Sequence, residues 1–215
     1  MFSVFAQVTP LALAADISPS GLLFVMMILS NRDNGKKKAL SFIIGATAFL
    51  TVLGIFTMLT FRAAAGRTGH ATRLSGVLDI ALALLILAIV AKSARGAKKD
   101  KPAKKKKKEP PFLVLGFSYM IINISTLIPF IAAAKIIAAA KLGLTDTSTL
   151  FAAVLLIAMF MVAFPVLISY VAPEKSQTIL GPVQMFMRAR GKEIANIYFL
   201  IMAVYLLVRG ILILR

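Results

Sequence analysis

Six long apolar stretches alternate with short polar connections along the chain. They cover residues 8–29, 39–61, 74–90, 112–140, 150–171 and 194–214. About 20 apolar residues suffice for one helical crossing of a bilayer. Lipid favours helices because every backbone polar group must be satisfied internally. The pattern therefore predicts an all-α membrane protein with six transmembrane helices.

The composition indicates the same class of protein. Of the 215 residues, 60% are hydrophobic and 15% are charged, whereas soluble proteins average about 45 to 50% and about 25%. Six crossings and their connections use nearly the whole chain, which leaves no room for a soluble domain of useful size. The N-terminal residues lack the cationic start of a signal peptide, so we expect them to belong to the first span.

The basic residues are distributed unevenly between the two sets of connections. Eighteen of the 25 Lys and Arg residues follow the first, third and fifth spans, whereas five lie at the other ends of the spans. Cationic loops stay in the cytoplasm. We therefore expect a multi-pass protein of the plasma membrane, with both termini outside and the basic loops inside.

A lysine-rich linker, residues 92–111, separates two groups of three spans. The predicted organisation is a first three-helix repeat over residues 1–91 and a second over residues 112–215. Three crossings bring the chain to the other side of the membrane, so the second repeat enters from the opposite face. Two inverted three-helix repeats of this kind are typical of transporters.

The linker carries ten Lys and Arg residues, including the run from Lys104 to Lys108. Beside membrane spans, such a run usually binds anionic lipid headgroups with about 1 kcal/mol per charge. It lacks the interleaved aromatic residues and the recognisable fold of a nucleic-acid-binding segment. We therefore expect anionic headgroups as a partner of the linker and no nucleic acid.

Prolines interrupt the first and the fourth spans, which are the first spans of the two repeats. Interrupted helices in corresponding positions of two repeats indicate a transport site, although a plain kink is the alternative. The fourth stretch is also long for one straight crossing, which predicts that it is tilted or broken. The candidate substrate-binding residues at these interruptions are Asp16, Ser18, Pro19, Asn123, Ser125, Thr126 and Pro129.

Four ionisable residues fall inside the spans: Asp16, Asp79, Lys135 and Arg209. The predicted orientation places all four in the outer half of the membrane, where two acids and two bases could neutralise each other around an outward-facing cavity. Alternatively, Lys135 and Arg209 extend to the headgroups. The carboxylates reach less far, so Asp16 and Asp79 are the stronger candidates. Asp79 and Lys135 complete the predicted substrate-binding set.

The residue inventory excludes several kinds of chemistry. Cysteine is absent and His70 is the one histidine, so disulfides, thiolate ligands and a histidine cluster for a metal are impossible within one chain. No phosphate-binding Walker pattern occurs. No nucleophile, base and orienting group fall together, and we expect neither an enzyme nor a cofactor.

Short motifs in both halves carry a resemblance to a known family. The N-terminal half has Leu13, Ser18-Pro19, a Leu-rich run to Ser30 and the segment at residues 42–45. The C-terminal half has the segments at residues 164–167, 170–174 and 204–210, with an amphipathic stretch through Leu180 and Met187. In order and spacing, the chain resembles the GAP family of peptidoglycolipid-addressing, Sap-like membrane proteins, which belongs to the LysE exporter superfamily.

The resemblance implies a fold of two three-span halves and a role in moving or addressing a cell-envelope lipid or glycolipid. It also implies a possible homodimer, from the habit of the superfamily. Two features depart from the family pattern: the linker is unusually basic, and Asp16 stands where an apolar residue is expected. The superfamily's thiol-reducing branch is excluded because cysteine is absent.

Three functional hypotheses follow. The first is a transporter that moves an envelope lipid by alternating access at the broken helices. The second is a LysE-type exporter of a small cationic or zwitterionic solute, with Asp16 and Asp79 as counter-charges. The third is a non-transporting adaptor that positions a lipid-synthesis enzyme through the basic linker. The cargo is thus a membrane lipid or a small molecule.

Overall fold

Helices account for all regular secondary structure in the computed structural model, which describes residues 1–31, 33–65, 70–94 and 111–214. The eight helices in these residues are α1 (Phe2–Asp16), α2 (Pro19–Leu29), α3 (Gly35–Ala65), α4 (His70–Ala94), α5 (Phe112–Ile122), α6 (Ile124–Ala139), α7 (Leu144–Val171) and α8 (Ser176–Leu214). Most of the lysine-rich linker, residues 95–110, lies outside the described residues. The predicted all-helical class is confirmed.

Four to six of these elements can cross a membrane. The helices α3, α4, α7 and α8 are each long and apolar enough, and α1 with α2 and α5 with α6 form two bent pairs that pass the same criteria. The bend is 51° in the first pair and 77° in the second. Every predicted apolar stretch falls within one of these helices or bent pairs, apart from single residues at their ends.

The first bend lies where a serine and a proline follow each other. Ser18 caps α2, because its hydroxyl accepts a hydrogen bond from the backbone N–H of Gly21 at 3.3 Å. Pro19 occupies the first turn of α2, where its missing N–H costs no helical hydrogen bond. The sequence Ser-Pro therefore starts a new helix at this point, and the predicted interruption is confirmed.

The second bend lies at Asn123, and Pro129 is not at the break. Asn123 separates α5 from α6 with φ −80° and ψ 66°, whereas Pro129 is buried inside α6. The predicted break of the fourth span within residues 123–129 is confirmed, but the expectation that Pro129 itself interrupts the helix is wrong. The missing N–H of a proline frees one carbonyl four residues earlier, and in α6 that carbonyl belongs to Ser125 in the first turn. The helix thus continues through Pro129.

Contacts at the helix ends define two faces of the bundle. At one face, Lys36 Nζ lies 5.6 Å from the ring centroid of Tyr170 and Lys38 Nζ lies 5.4 Å from that of Phe112. These contacts join the starts of α3 and α5 to the end of α7, and we call this end the basic face. At the opposite face, Arg62 joins the end of α3 to the α6–α7 connection.

Glycines let α3 and α5 pack with their backbones in contact. A Cβ atom added to Gly45 would lie 2.0 Å from the Leu113 carbonyl oxygen, and one added to Gly116 would lie 2.0 Å from the Phe42 carbonyl oxygen. Small residues permit such close approach of membrane helices. Gly45 of α3 faces α5, and Gly116 of α5 faces α3. This contact therefore joins the first half of the chain to the second.

We predict that Gly45→Ala and Gly116→Ala each destabilise the protein by at least about 1 to 3 kcal/mol, the usual range for overpacking. The measurement is thermal unfolding of the detergent-solubilised protein by circular dichroism. Gly181→Ala is the matched control, because a Cβ at that helical position meets nothing within 4 Å. Equal melting temperatures for all three variants would contradict the tight α3–α5 contact.

Candidate functional site

The two bends meet in the interior of the protein. Asn123 Nδ2 donates a hydrogen bond of 3.1 Å to Ser18 Oγ, across 105 residues of chain. Ser18 is 1% exposed and Asn123 is 8% exposed. An unpaired amide or hydroxyl would be costly at such a position. A side chain at one bend thus satisfies a side chain at the other.

Further hydroxyl groups complete this polar cluster. Asn123 Nδ2 also donates to Thr126 Oγ1 at 2.9 Å, and Ser125 Oγ donates to Asn123 Oδ1 at 2.6 Å. On the side of the basic face, Ser20 and Tyr119 share a hydrogen bond of 3.1 Å between their hydroxyl oxygens. We call Ser18, Asn123, Ser125 and Thr126 the break cluster. It brings together four of the predicted site residues.

A second cluster consists of charged groups. Asp79 of α4 forms an ion pair with Lys135 of α6, and its other carboxylate oxygen lies 3.2 Å from Arg209 Nη1 of α8. Lys135 Nζ also donates to the Ser75 carbonyl oxygen at 2.9 Å. Asp79 and Lys135 are 0% and 1% exposed, and Arg209 is 18% exposed. These three residues form the charge cluster.

Asp16 does not belong to the charge cluster. Its carboxylate accepts a hydrogen bond of 2.6 Å from the backbone N–H of Met161, in the middle of α7. The expectation that four ionisable residues neutralise each other is therefore wrong for Asp16. Asp16 is the last residue of α1, and its position at the bend directs the side chain to the neighbouring helix.

The charge cluster also departs from the two arrangements expected for it. Lys135 does not extend to the headgroups, because Asp79 and the Ser75 carbonyl hold its ammonium group in the interior. Asp79 and Lys135 are enclosed by protein and do not line an open outward cavity. A buried ion requires a partner of opposite charge at close range. Asp79 is that partner for both Lys135 and Arg209.

The opposite face of the bundle is held together by an arginine. Arg62 Nη2 donates to Thr147 Oγ1 at 2.7 Å and to the Leu142 carbonyl oxygen at 3.2 Å. Thr147 is 6% exposed. At the basic face, in contrast, a cavity of about 310 Å³ separates the end of α2 and the start of α3 from the end of α7 and the start of α8. The helix ends are thus joined by hydrogen bonds at the opposite face, whereas a cavity lies between them at the basic face.

The site offers hydrogen-bonding groups and fixed charges, and no metal centre. In the described part of the chain, no three His, Asp or Glu residues lie close enough to hold a metal ion. The break cluster can exchange its hydrogen bonds with a polar ligand. In the charge cluster, by contrast, the carboxylate of Asp79 is already paired with Lys135 and Arg209.

Comparison with protein families agrees with this architecture. Residues 8–212 match the family described as "Sap, sulfolipid-1-addressing protein". The chain belongs to the Sap family. The resemblance to Sap-like proteins of the GAP family is therefore confirmed over nearly the whole chain. No curated protein and no solved structure matches the chain.

Several residues of this Sap-family site were missed by sequence reasoning. Tyr119 shares a hydrogen bond with Ser20, two residues after Ser18 of the break cluster, and stacks on Phe24 with ring centroids 5.6 Å apart. Arg62 and Lys36 were counted only as loop charges. A tyrosine within an apolar span, four residues before Asn123, is a signal that could have identified Tyr119. The roles of Arg62 and Lys36 depend on which helix ends meet, which one sequence does not reveal.

We predict that Asp79→Asn destabilises this Sap-family protein by about 3 to 5 kcal/mol, because two cations lose their buried counter-charge. The measurement is unfolding in detergent, followed by circular dichroism. The double variant Asp79→Asn, Lys135→Met should recover at least half of the loss, since it removes one of the two unpaired ions.

The control for this prediction is Asp146→Asn, which removes a carboxylate from the first turn of α7 and should change the stability by less than about 1 kcal/mol. If Asp79→Asn and Asp146→Asn are equally mild, the charge cluster does not stabilise the fold.

Proposed function

We propose that the protein moves a cell-envelope lipid or glycolipid across the membrane by alternating access at its two bent spans. The hydrogen bond between Ser18 and Asn123 carries this proposal, because it joins side chains at the helix interruptions of both halves inside the protein. Irregular backbone at membrane depth is tolerated where protein buries it or where it lines a cavity. The family description, which names a sulfolipid, supports a lipid as the cargo.

The helix packing supports an arrangement of six spans in two inverted repeats. Each repeat would consist of a bent span followed by two straight ones: α1–α2, α3 and α4 in the first, and α5–α6, α7 and α8 in the second. In the bundle, α3 packs on α5 and α7 packs on α1. The second span of each half thus contacts the first half-helix of the other half. Two repeats related by a twofold axis would make this same pair of contacts twice.

The two faces of the bundle support an alternating cycle. Arg62 joins one end of α3 to the α6–α7 connection and the start of α7. Lys36, at the other end of α3, lines the cavity. At a rise of 1.5 Å per residue, about 39 Å of helix separates the two residues. In our proposal this arrangement is the state open to the basic face. We assign that face to the cytoplasm and both termini to the outside, because the basic connections favour the cytoplasmic side.

The charge cluster argues against export of a small cation as the main function. Such an exporter would use Asp79 as a counter-charge, but Lys135 and Arg209 occupy both of its carboxylate oxygens. A lipid carrier needs no free carboxylate in this position. Our proposal includes no catalytic step, since its polar residues serve only to bind and release a headgroup.

The proposal is tested by reconstituting the protein into vesicles with a fluorescent NBD-labelled phosphatidylglycerol. Transport is measured as the rate at which labelled lipid becomes accessible to dithionite added outside. We expect the double variant Ser18→Ala, Asn123→Leu to lower this rate at least tenfold, because it removes the polar contact at the bends. The variant also removes the Ser18 cap of α2 and the Asn123 partner of Ser125 and Thr126, so its helix content and melting temperature are compared with those of the wild type by circular dichroism before the rates are compared.

The matched control is Thr51→Val, whose hydroxyl donates to the Thr47 carbonyl of its own helix at 2.9 Å. It should transport at the wild-type rate. The proposal fails if vesicles with wild-type protein exchange the probe no faster than protein-free vesicles. A double variant as fast as the wild type would remove the break cluster from the mechanism.

A further inference from the structure

The cavity at the basic face has an amphiphilic lining. Its polar groups come from Lys36, Gln184 and three serines, and its apolar groups include Met26 and Leu180. The volume of about 310 Å³ lies at the lower end of the range for small-ligand pockets. Among the residues that the structure describes, no carboxylate contributes to this lining. The cavity is therefore suited to a small polar group that carries negative charge and is attached to an apolar body.

Lys36 supplies the positive charge without a competing acid. In the part of the chain that the structure describes, the ion pairs are Asp79 with Lys135, Asp79 with Arg209, and Arg190 with Glu193. Lys36 therefore has no carboxylate partner there, and its ammonium group lies over the ring of Tyr170. An exposed ammonium beside a pocket without acids attracts anions.

The serine hydroxyls can change partners at little cost. Ser30, Ser169 and Ser176 each donate to a backbone carbonyl oxygen nearby, at 2.9, 2.7 and 2.9 Å. A hydroxyl rotates about its C–O bond and can donate to one acceptor or another. Without a ligand, the three hydroxyls are thus hydrogen-bonded to the protein's own backbone. The same hydroxyls can turn towards the oxygens of an anion.

Exposed apolar side chains also lie on α2 and α8, the helices that carry most of the cavity lining. Met27 and Met185 follow the lining residues Met26 and Gln184 in the sequence, and they are 62% and 68% exposed. Such surface suits acyl chains, whereas a free inorganic anion would gain nothing from it. This distinguishes a lipid headgroup from a dissolved anion as the occupant.

We infer that this cavity binds the anionic headgroup of a membrane lipid, with Lys36 as counter-charge and Gln184 and the serines as hydrogen-bonding groups. The site would take up cargo from the leaflet at the basic face, and in that respect it rests on the proposed function. Its existence is tested by equilibrium binding, which requires no transport. A failure of transport and a failure of binding are therefore distinguishable.

The test compares phosphatidylglycerol with zwitterionic phosphatidylcholine, bound to the purified full chain in detergent and quantified by native mass spectrometry. We expect preferential binding of phosphatidylglycerol. Lys36→Ala should weaken its binding roughly tenfold, the effect of losing one charged hydrogen bond. Lys37→Ala, an exposed lysine outside the cavity lining, should change it less than twofold.

A second variant separates the cavity from the general positive charge of the protein, +17. Gly181 lines the cavity, and a Cβ there meets nothing within 4 Å. Gly181→Leu should therefore fill the space without a clash and abolish preferential binding at unchanged charge. Gly143→Leu, at a similarly open position at the opposite face, is the matched control and should bind normally.

Two results would overturn the inference. Equal phosphatidylglycerol binding by the wild type, Lys36→Ala and Gly181→Leu would show that headgroups bind to surface charge alone. Displacement of the lipid by an equimolar amount of inorganic sulfate would show that the site takes a free anion and not a lipid headgroup.

Discussion

The structure depends on satisfying polar groups where two membrane helices are interrupted. A bend at such depth leaves amide, carbonyl and hydroxyl groups without helical partners, and lipid cannot supply any. Here the two interruptions satisfy each other, because the Asn123 amide bridges Ser18 on one side and Thr126 on the other. The polar side chains at the two bends are therefore satisfied by a contact that joins the two halves of the chain.

The charge cluster and the close glycine contacts join the same halves at other places. Asp79 lies in the first half, whereas Lys135 and Arg209 lie in the second. Nearby, a Cβ on Gly76 of α4 would lie 3.0 Å from the Gly210 carbonyl oxygen of α8. Close backbone contact thus joins α4 to α8, and buried ions join α4 to α6 and α8. In the proposed transport cycle, relative movement of the halves would occur at the bends and at the helix ends near Arg62 and the cavity.

From the sequence, the positions of the helices could be predicted much better than the contacts between them. Apolar length defined every span, and Ser18-Pro19 located the first bend because a capping residue before proline is a local signal. The second bend lies at Asn123 and not at Pro129, because the amide makes tertiary hydrogen bonds that no local pattern encodes. The same reason explains Asp16: its neighbourhood to the Ser18-Pro19 bend can be read from the sequence, but its partner, the backbone of Met161 on α7, depends on helix packing.

The magnitudes of the two polar clusters indicate which one can open in a transport cycle. Neutral hydrogen bonds contribute about 0.5 to 1.5 kcal/mol each, and a passing headgroup can replace them oxygen for oxygen. Removing one partner of a buried ion pair costs about 3 to 5 kcal/mol, and withdrawing Asp79 would leave both Lys135 and Arg209 without their counter-charge. In the proposed cycle the break cluster is therefore the contact that cargo opens, and the charge cluster is the fixed point about which the halves move.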